Sequence, residues 1–526
     1  MGVAARTERI SDVLPERSGR ADAVAIGLLA FVIGICGANR PSLWLDEAAT
    51  ISASTRPLPD LANLLGHVDA VHGVHYVLMH AWFTVFPATE FWARVPSSLL
   101  VGGAAAGVVV LGRQLSVRSV AVAAGIVFAV LPRTTWAAIE ARSNALSMFD
   151  AVWVTVLCVV AVRRDRTWPW IAYAIGLALT VVANVFVILV VAVHLVLIRR
   201  LTDSRRIAAR WLAAAIAAGG AVLPFVILTG SQQGQVDWIP AIGRGTLGQL
   251  LGDQYFPAVI TVGSQTQGES VPRGIPPEVV AASLRAWALI APLIIVLLVV
   301  IIVTLRTRRR QPVLPGARLL VTVASAWIAL PTAGVIAVSL VGEPVYQPHY
   351  LAFTVPGVAL LLGWCVVVVG RAPRGIAAVL AVIAMAAVPN YVAQRGPYSK
   401  FGRDQSQVAD LIEARAATGD CLNVDDAAPA KLVEPLTAGR PAAFARLRDP
   451  GLRQSAVDRG ELFESRRPIR EWADELRTCP ALWTVTARGA ADSVHEVPVA
   501  AGFRLTDRWT LNTTEVLRYA PGVEPP

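Results

Sequence analysis

Lysine is nearly missing from this 526-residue chain: Lys400 and Lys431 are the only two, and the rest of its 47 basic residues are arginine. That bias reads as a GC-rich coding preference more than as chemistry. Charge of both signs is scarce, at 16% of residues, too little for an ordinary soluble protein. The five cysteines hold no C-x-x-C and no metal-ligand spacing, which excludes a cysteine-built metal or redox motif. No small-residue cleavage site follows the first apolar run, so that run is expected to stay as an uncleaved anchor behind Arg6, Arg9, Arg17 and Arg20. Tandem repeats and low-complexity tracts are absent as well.

Apolar residues are abundant: 55% hydrophobic, with a mean hydropathy of +0.55, mark an integral membrane protein. A net charge of +10 would ordinarily raise nucleic acid as a partner. Here the arginines cluster between apolar segments, which is a pattern of membrane topology, so no nucleic acid is expected.

A membrane-crossing helix needs roughly 20 apolar residues. About eleven candidates lie near residues 22–38, 94–112, 117–132, 144–162, 169–183, 184–198, 207–229, 285–305, 317–341, 351–370 and 374–389. The stretch from Trp168 to Ile198 is long for one helix and short for two, and a hairpin breaking near Asn184 is expected. Arg113 and Arg118, Arg163 to Arg166, Arg199 to Arg210, Arg306 to Arg310, and Arg371 with Arg374 all fall on one side, which is read as cytoplasmic. The expected division is a cytoplasmic segment 1–21, a membrane domain 22–389 with a first outer loop 39–93, and an extracytoplasmic domain 390–526. The fold class is therefore a mostly α, polytopic membrane helix bundle with a small C-terminal α/β domain.

In the first outer loop, Leu58, Leu61, Leu64, Leu65 and Val68 share one face of a helix expected to lie in the interface. The stretch "VHYVLMHAWFTVF" is too short to span and is expected to be interfacial or partly re-entrant. After Pro389 the composition becomes that of a soluble domain. Helices are expected at "SQVADLIEARAATGD" and "REWADELRT", strands at "CLNVDD" and "LWTVTA", and a closing strand pair in "GFRLTDRWTLNTTEVLRYA". Cys36, Cys158 and Cys365 read as packing residues; Cys421 and Cys479 could pair only if the tail faces an oxidising compartment.

Polar groups gather at the outer surface: Asp46 and Glu47 in "SLWLDEAAT", Asp69 and His72, Glu140 and Arg142, and His349 with Tyr346 and Tyr350. Ionisable side chains at membrane ends suggest function when they share a cavity. The plainer reading is that each snorkels to water.

The order of an N-terminal membrane helix, an Asp-Glu pair opening the outer loop, "DAVHGVHYVLMHAW", "RVPSSLLVGGAAAGVVVLGRQL", "AIEARSNALSMFD", "VDWIPAI" and "PHYLAFTVPGVALLL" resembles the GT-C membrane glycosyltransferases. The nearest likeness is to actinobacterial polyprenyl-phosphate-mannose-dependent mannosyltransferases. The resemblance implies that Asp46, the first acid of the outer loop, is catalytic, and that a polyprenyl-phosphate-mannose donor is used outside the cell membrane. A carboxylate near the acceptor hydroxyl serves as general base and stabilises positive charge on the sugar ring.

The departing lipid phosphate needs a fixed cation, and Arg142 is the first choice because a guanidinium matches two phosphate oxygens. An Arg142 to Glu140 surface pair is the plainer alternative. His349 stands where relatives often carry arginine before "YL", and with Tyr350 it is a second expected phosphate contact. Asp69 and His72 follow the familial acid-x-x-His pattern. An internal hydrogen bond, a sugar contact and two ligands of a divalent ion all suit their spacing. Glu47 and Glu140 are expected as supporting acids. No metal is required, since Arg142 could neutralise a monophosphate. Arg94 reads as a helix anchor, Trp238 as an interfacial anchor, and His75 and His80 as packing.

The expected activity is inverting mannosyl transfer from polyprenyl phosphate to a lipoglycan or polysaccharide hydroxyl in cell-envelope synthesis. An arabinosyltransferase using a pentose donor is the enzymatic alternative. A lipid-linked sugar transporter is the alternative of another class, and a scaffold with a partner-binding tail is the third. Transporters hold polar groups at the midplane of repeated halves, whereas here they sit at one face.

Overall fold

In the computed structural model, which describes residues 17–262, 277–310, 313–425 and 435–522, the first apolar run is helix α1 (Arg17–Ile35). Arg6, Arg9, Lys431 and much of the expected segment 1–21 lie outside the described residues, as does part of the loop after Ser231. The segment expected as the first outer loop then folds as three short helices, α2 (Leu45–Ser54), α3 (Leu58–His67) and α4 (Gly73–Phe83). The bundle continues with α5 (Glu90–Leu115), α6 (Arg118–Val130), α7 (Pro132–Ala138), α8 (Asn144–Arg164), α9 (Thr167–Ala183), α10 (Val190–Leu201) and α11 (Arg205–Ser231). After a short α12 (Arg244–Gly248) come α13 (Pro277–Thr307), α14 (Ala317–Val341), α15 (Val355–Gly370), which follows a 3-10 turn at Pro348–Thr354, and α16 (Pro373–Gln394).

Among the described residues, seven helices are long and apolar enough to cross a membrane, or eight if the bent pair α6 and α7 forms one span. That is fewer than the eleven segments expected. The stretch from Trp168 to Ile198 does break at Asn184, but its two helices have only 17 and 12 residues. The Asn184 side chain accepts the Phe186 N–H at 3.1 Å, closing a turn between them. The bend of 61° between α6 and α7 falls at Leu131, which is extended because Pro132 follows it. That bend carries the chain into the segment 139–143.

Small residues decide how closely the elements approach. A Cβ on Gly27 would sit 2.9 Å from the Gly102 carbonyl oxygen, so α1 and α5 cross in backbone contact. This crossing fixes the N-terminal end of α5, where Arg94 lies, against the outer loop. Helix α3 presents its apolar face to protein instead of lying free in the interface. Leu61 and Leu64 are buried with Ala53 and Tyr76, and Leu462 of the tail covers them, while Leu58 is exposed.

The tail contains α17 (Gln405–Arg415), α18 (Leu436–Gly439), α19 (Pro441–Phe444) and α20 (Ala491–Ala500). Its strands are β1 (Cys421–Val424), β2 (Leu452–Gln454), β3 (Ser465–Arg466), β4 (Leu482–Ala487), β5 (Phe503–Thr510) and β6 (Thr514–Pro521). The main sheet has the order β1-β4-β6-β5, with β1 parallel to β4 and the rest antiparallel. "REWADELRT" lies within a 3-10 segment kinked at Trp472 instead of an α-helix. Cys421 and Cys479 form a disulfide.

This domain sits directly on α2 and the N-terminal end of α5. The Ser406 hydroxyl donates to Glu90 at 2.6 Å, Arg440 pairs with Glu90 at 2.8 Å, and the Arg56 guanidinium donates to the Glu461 carbonyl. The Asp404 carboxylate accepts the N–H groups of Thr513 and Thr514 at 2.7 and 3.1 Å, joining the entry helix to the last strand.

Candidate active site

Asp46 and Glu47 occupy the first turn of α2, where the helix dipole favours a carboxylate. Adjacent helical residues point about 100° apart, so the two acids serve different surroundings. Glu47 turns inward and is fully buried. Its Oε1 lies 2.7 Å from Arg94 Nε and its Oε2 lies 2.6 Å from Nη2, while Oε1 also accepts the Ala141 N–H at 3.0 Å. Arg94 spends its other donors on the carbonyls of Ala38, Pro41 and Ser42 at 2.6, 2.8 and 3.1 Å. All five N–H groups of the guanidinium are thereby engaged. Glu47 is therefore not open to a sugar, contrary to expectation, and Arg94 has no donor left for a phosphate.

Asp46 turns outward, with its side chain 27% exposed and its Oδ2 3.5 Å from Arg142 Nε. Burial pushes its carboxyl up to about 6 against the pull of Arg142, and the negative charges of Glu140, Asp69 and Glu47 add to the rise.

Arg142 is the hub. Its Nη1 donates to the Tyr76 hydroxyl at 3.0 Å and lies 4.0 Å from Asp69 Oδ2, and its Nη2 donates to His72 Nε2 at 3.0 Å. The surrounding acids hold its guanidinium above the ordinary arginine range despite burial. Because arginine only donates, His72 Nε2 must accept, and its Nδ1–H donates to Ser143 Oγ at 3.2 Å. Burial and the neighbouring Arg142 hold the His72 imidazole well below its usual range, and it is neutral.

Asp69 has a left-handed backbone, with φ of 61°, and accepts the Tyr76 hydroxyl at 2.5 Å. Two glutamines from the end of α11 and the turn after it secure this conformation. The Gln235 Oε1 accepts the Asp69 N–H at 3.1 Å, and the Gln232 Oε1 accepts the Ala70 N–H at 2.9 Å. The Gln232 Nε2 donates to the Leu65 carbonyl at 3.0 Å.

Four expected residues thus meet: Asp46, Asp69, His72 and Arg142. The divalent-ion alternative does not fit this arrangement, because the Arg142 guanidinium occupies the centre that Asp46, Asp69 and His72 would share as ligands. Among the described residues no three of His, Cys, Asp and Glu are grouped to hold a metal.

Glu140 turns away from the cluster and does not pair with Arg142. It accepts the Trp136 indole N–H at 3.1 Å and the Asn144 amide at 2.7 Å, with Lys400 Nζ 3.8 Å distant. Despite burial, Lys400, His349 and Asn144 hold its carboxyl low. Lys400, fully buried, stands 3.9 Å over the Trp136 ring, and burial lowers its ammonium to about 8. His349 and Tyr350 line the flank in the 3-10 turn before α15, their rings 4.6 Å apart, and Tyr350 stacks on Phe186 at 5.0 Å. Neither hydrogen-bonds to Arg142. His80 Nδ1 contacts the Ser54 carbonyl at 3.0 Å, a structural tie between α4 and α2.

Tyr76, Ser143, Gln232, Gln235 and Lys400 were not foreseen. Tyr76 carried a signal: it follows His72 by four and Asp69 by seven, the spacing of one helical face.

No family model matches the chain, and no curated protein matches it. Solved structures do. The apo crystal structure of ArnT from Cupriavidus metallidurans is similar over 95% of this chain and 98% of its own, at 12% identity and a TM-score of 0.51. Its undecaprenyl phosphate complex covers 96% and 98% at 12% identity and a TM-score of 0.49. The archaeal oligosaccharyltransferase AglB from Archaeoglobus fulgidus, with an inhibitory peptide and a dolichol-phosphate, covers 89% and 69% at 12% identity and a TM-score of 0.42. The likeness to apo ArnT shows the architecture, and the chain has the fold of the GT-C membrane glycosyltransferases.

Proposed function

We propose that this chain is an inverting glycosyltransferase that moves mannose from a polyprenyl-phosphate carrier to a hydroxyl of an extracytoplasmic lipoglycan or polysaccharide. The observation that carries the reading is the Asp46 to Arg142 approach of 3.5 Å, a part-exposed base beside a cation with donors to spare. ArnT is known with undecaprenyl phosphate. The donor class proposed here rests on Arg142, not on that likeness.

The acceptor hydroxyl gives its proton to Asp46 as its oxygen bonds to the anomeric carbon. The bond from that carbon to the phosphate oxygen breaks, and its electron pair leaves with the lipid phosphate. Arg142 faces that developing charge, and the neutral His72, Tyr76 and Asp69 hold its plane in place. His349 and Tyr350 are proposed to flank the lipid phosphate. No resident cofactor is proposed, since the guanidinium supplies the positive charge.

The reaction is placed outside the cell membrane, with 1–21 cytoplasmic, 22–389 in the bilayer and 390–526 extracytoplasmic. Two observations support this: the arginine-rich loops lie at the opposite end of the bundle, and the Cys421 to Cys479 disulfide suits an oxidising compartment.

Purified full-length protein in detergent, given polyprenyl-phosphate-mannose and a mannan or lipoglycan acceptor, should release polyprenyl phosphate and lengthen the acceptor. Turnover with only the arabinose donor would replace mannose by pentose. No turnover with either donor, but donor translocation in sealed vesicles, would overturn the enzyme for the transporter.

A further inference from the structure

At the end of the bundle away from Asp46, a cavity of about 550 Å³ opens between α5, α8, α10, α11 and α14. Arg113 on its wall lies nineteen residues beyond Arg94 on α5, about 28 Å along the axis at 1.5 Å per residue. The cavity is therefore remote from the Asp46 cluster, at the other membrane surface.

Its wall is unbalanced in charge. Arg113 on the wall reaches the Asp22 carboxylate at 3.2 Å and shares it with Arg118, which stands outside the lining, at 2.7 Å. Arg163, half-buried, donates to the Gln114 carbonyl and meets no carboxylate at ion-pair distance among the described residues. A cation withdrawn from water without a counter-ion is costly, and an anion from outside the chain relieves that cost.

The wall also holds an acceptor without a donor. The Gln114 side-chain oxygen is buried and receives no hydrogen bond among the described residues. A bare phosphate would satisfy the arginine but would offer little to the apolar remainder, Leu201, Ile207 and Leu319. A ligand with an anionic phosphate, a hydroxyl and an apolar body answers all three features.

We propose that this cavity seats the headgroup of an anionic phospholipid with a free hydroxyl, its phosphate on Arg163 and Arg113 and its hydroxyl donating to Gln114. Basic pockets between helices at a membrane surface are suited to such headgroups. The lipid ties together the ends of α5 and α8, the helices that bear Arg94 and follow Arg142. The proposal is independent of the reaction assigned to the outer site.

The test is thermal unfolding of the purified full-length protein in neutral detergent, titrated with phosphatidylglycerol, phosphatidic acid, phosphatidylcholine or inorganic phosphate. Phosphatidylglycerol should raise the melting temperature by several degrees, phosphatidic acid by less, and the other two hardly at all. Arg163→Gln should lose most of the phosphatidylglycerol shift. Gln114→Leu, which keeps the charge, should abolish the advantage of phosphatidylglycerol over phosphatidic acid, and it serves alone if Arg163→Gln does not fold. Equal shifts with phosphatidylcholine, or a full shift in both variants, would overturn the proposal. A full shift with inorganic phosphate would overturn the lipid in favour of a free anion.

Discussion

Glu47 and Arg94 form a fully buried two-point ion pair, at 2.7 and 2.6 Å, directly behind Asp46. The pair joins α2 to α5, and through Ala141 it also holds the segment that carries Arg142. Removing one member leaves the other charged and unpaired in the interior, at about 3–5 kcal/mol. Glu47→Gln and Arg94→Met should each lower the melting temperature of the detergent-solubilised protein markedly. Arg94→Lys should not restore it, because a lysine cannot reach five acceptors.

Asp46 should give activity and stability opposite responses to acid. As a base it works ionised, so kcat/KM should fall about tenfold per pH unit below pH 6 and level off above it. Its folded pKa is raised above the ordinary aspartate value of 3.8, so the folded state binds this proton more readily than the unfolded one. Between pH 6 and pH 3.8 its contribution to stability therefore grows as pH falls. A pH profile and an unfolding series on the same preparation check both signs. Asp46→Asn should abolish transfer and flatten this group's part of the stability curve, and retained turnover would reject Asp46 as the base.

Arg142→Lys should lose about 10²-fold in kcat/KM, the loss expected when a charge-assisted hydrogen bond worth about 2–3 kcal/mol goes missing. The compact ammonium cannot hold His72 Nε2 and Tyr76 while facing a phosphate. His72→Ala should fall less than Arg142→Lys, because Tyr76 and Asp69 still orient the guanidinium. Steady-state kinetics over a range of donor concentrations measures both.

The contrast between Arg142 and Glu140 shows what was legible in the sequence. An apolar chain with charges gathered at one surface is readable, because burial of charge is costly enough to restrict where it stands. The direction in which each acid turns is not. Glu47 turns inward because of a guanidinium 47 residues away, and Glu140 turns to the donors of Trp136 and Asn144, with a lysine 260 residues later at 3.8 Å. Helices α9 and α10, of 17 and 12 residues, are short for a full crossing, although α9 exposes Trp168, Ile171, Ile175 and Leu179 along one face. Lys400, one of two lysines among so many arginines, was the overlooked signal.

Gln232 and Gln235 make a last prediction, about positioning. Asp69 sits at a backbone angle that only glycine adopts freely, and the two amides satisfy the N–H groups on either side of the strain. Neither amide contacts Arg142, so their effect on transfer runs through the placement of Asp69 and Tyr76. Gln235→Ala should lower kcat about tenfold while the melting temperature changes little, since displacement of about 1 Å at a reacting centre costs up to about 10²-fold. Asp69→Gly relaxes the backbone but removes the carboxylate, and it should be slower still. Asp69→Asn keeps a side-chain acceptor for the Tyr76 hydroxyl and should fall between the wild type and Asp69→Gly. The three rates, measured at saturating donor, separate strain relief from loss of the acceptor. An Asp69→Gly enzyme faster than Asp69→Asn would show that backbone strain, not the carboxylate, sets the rate.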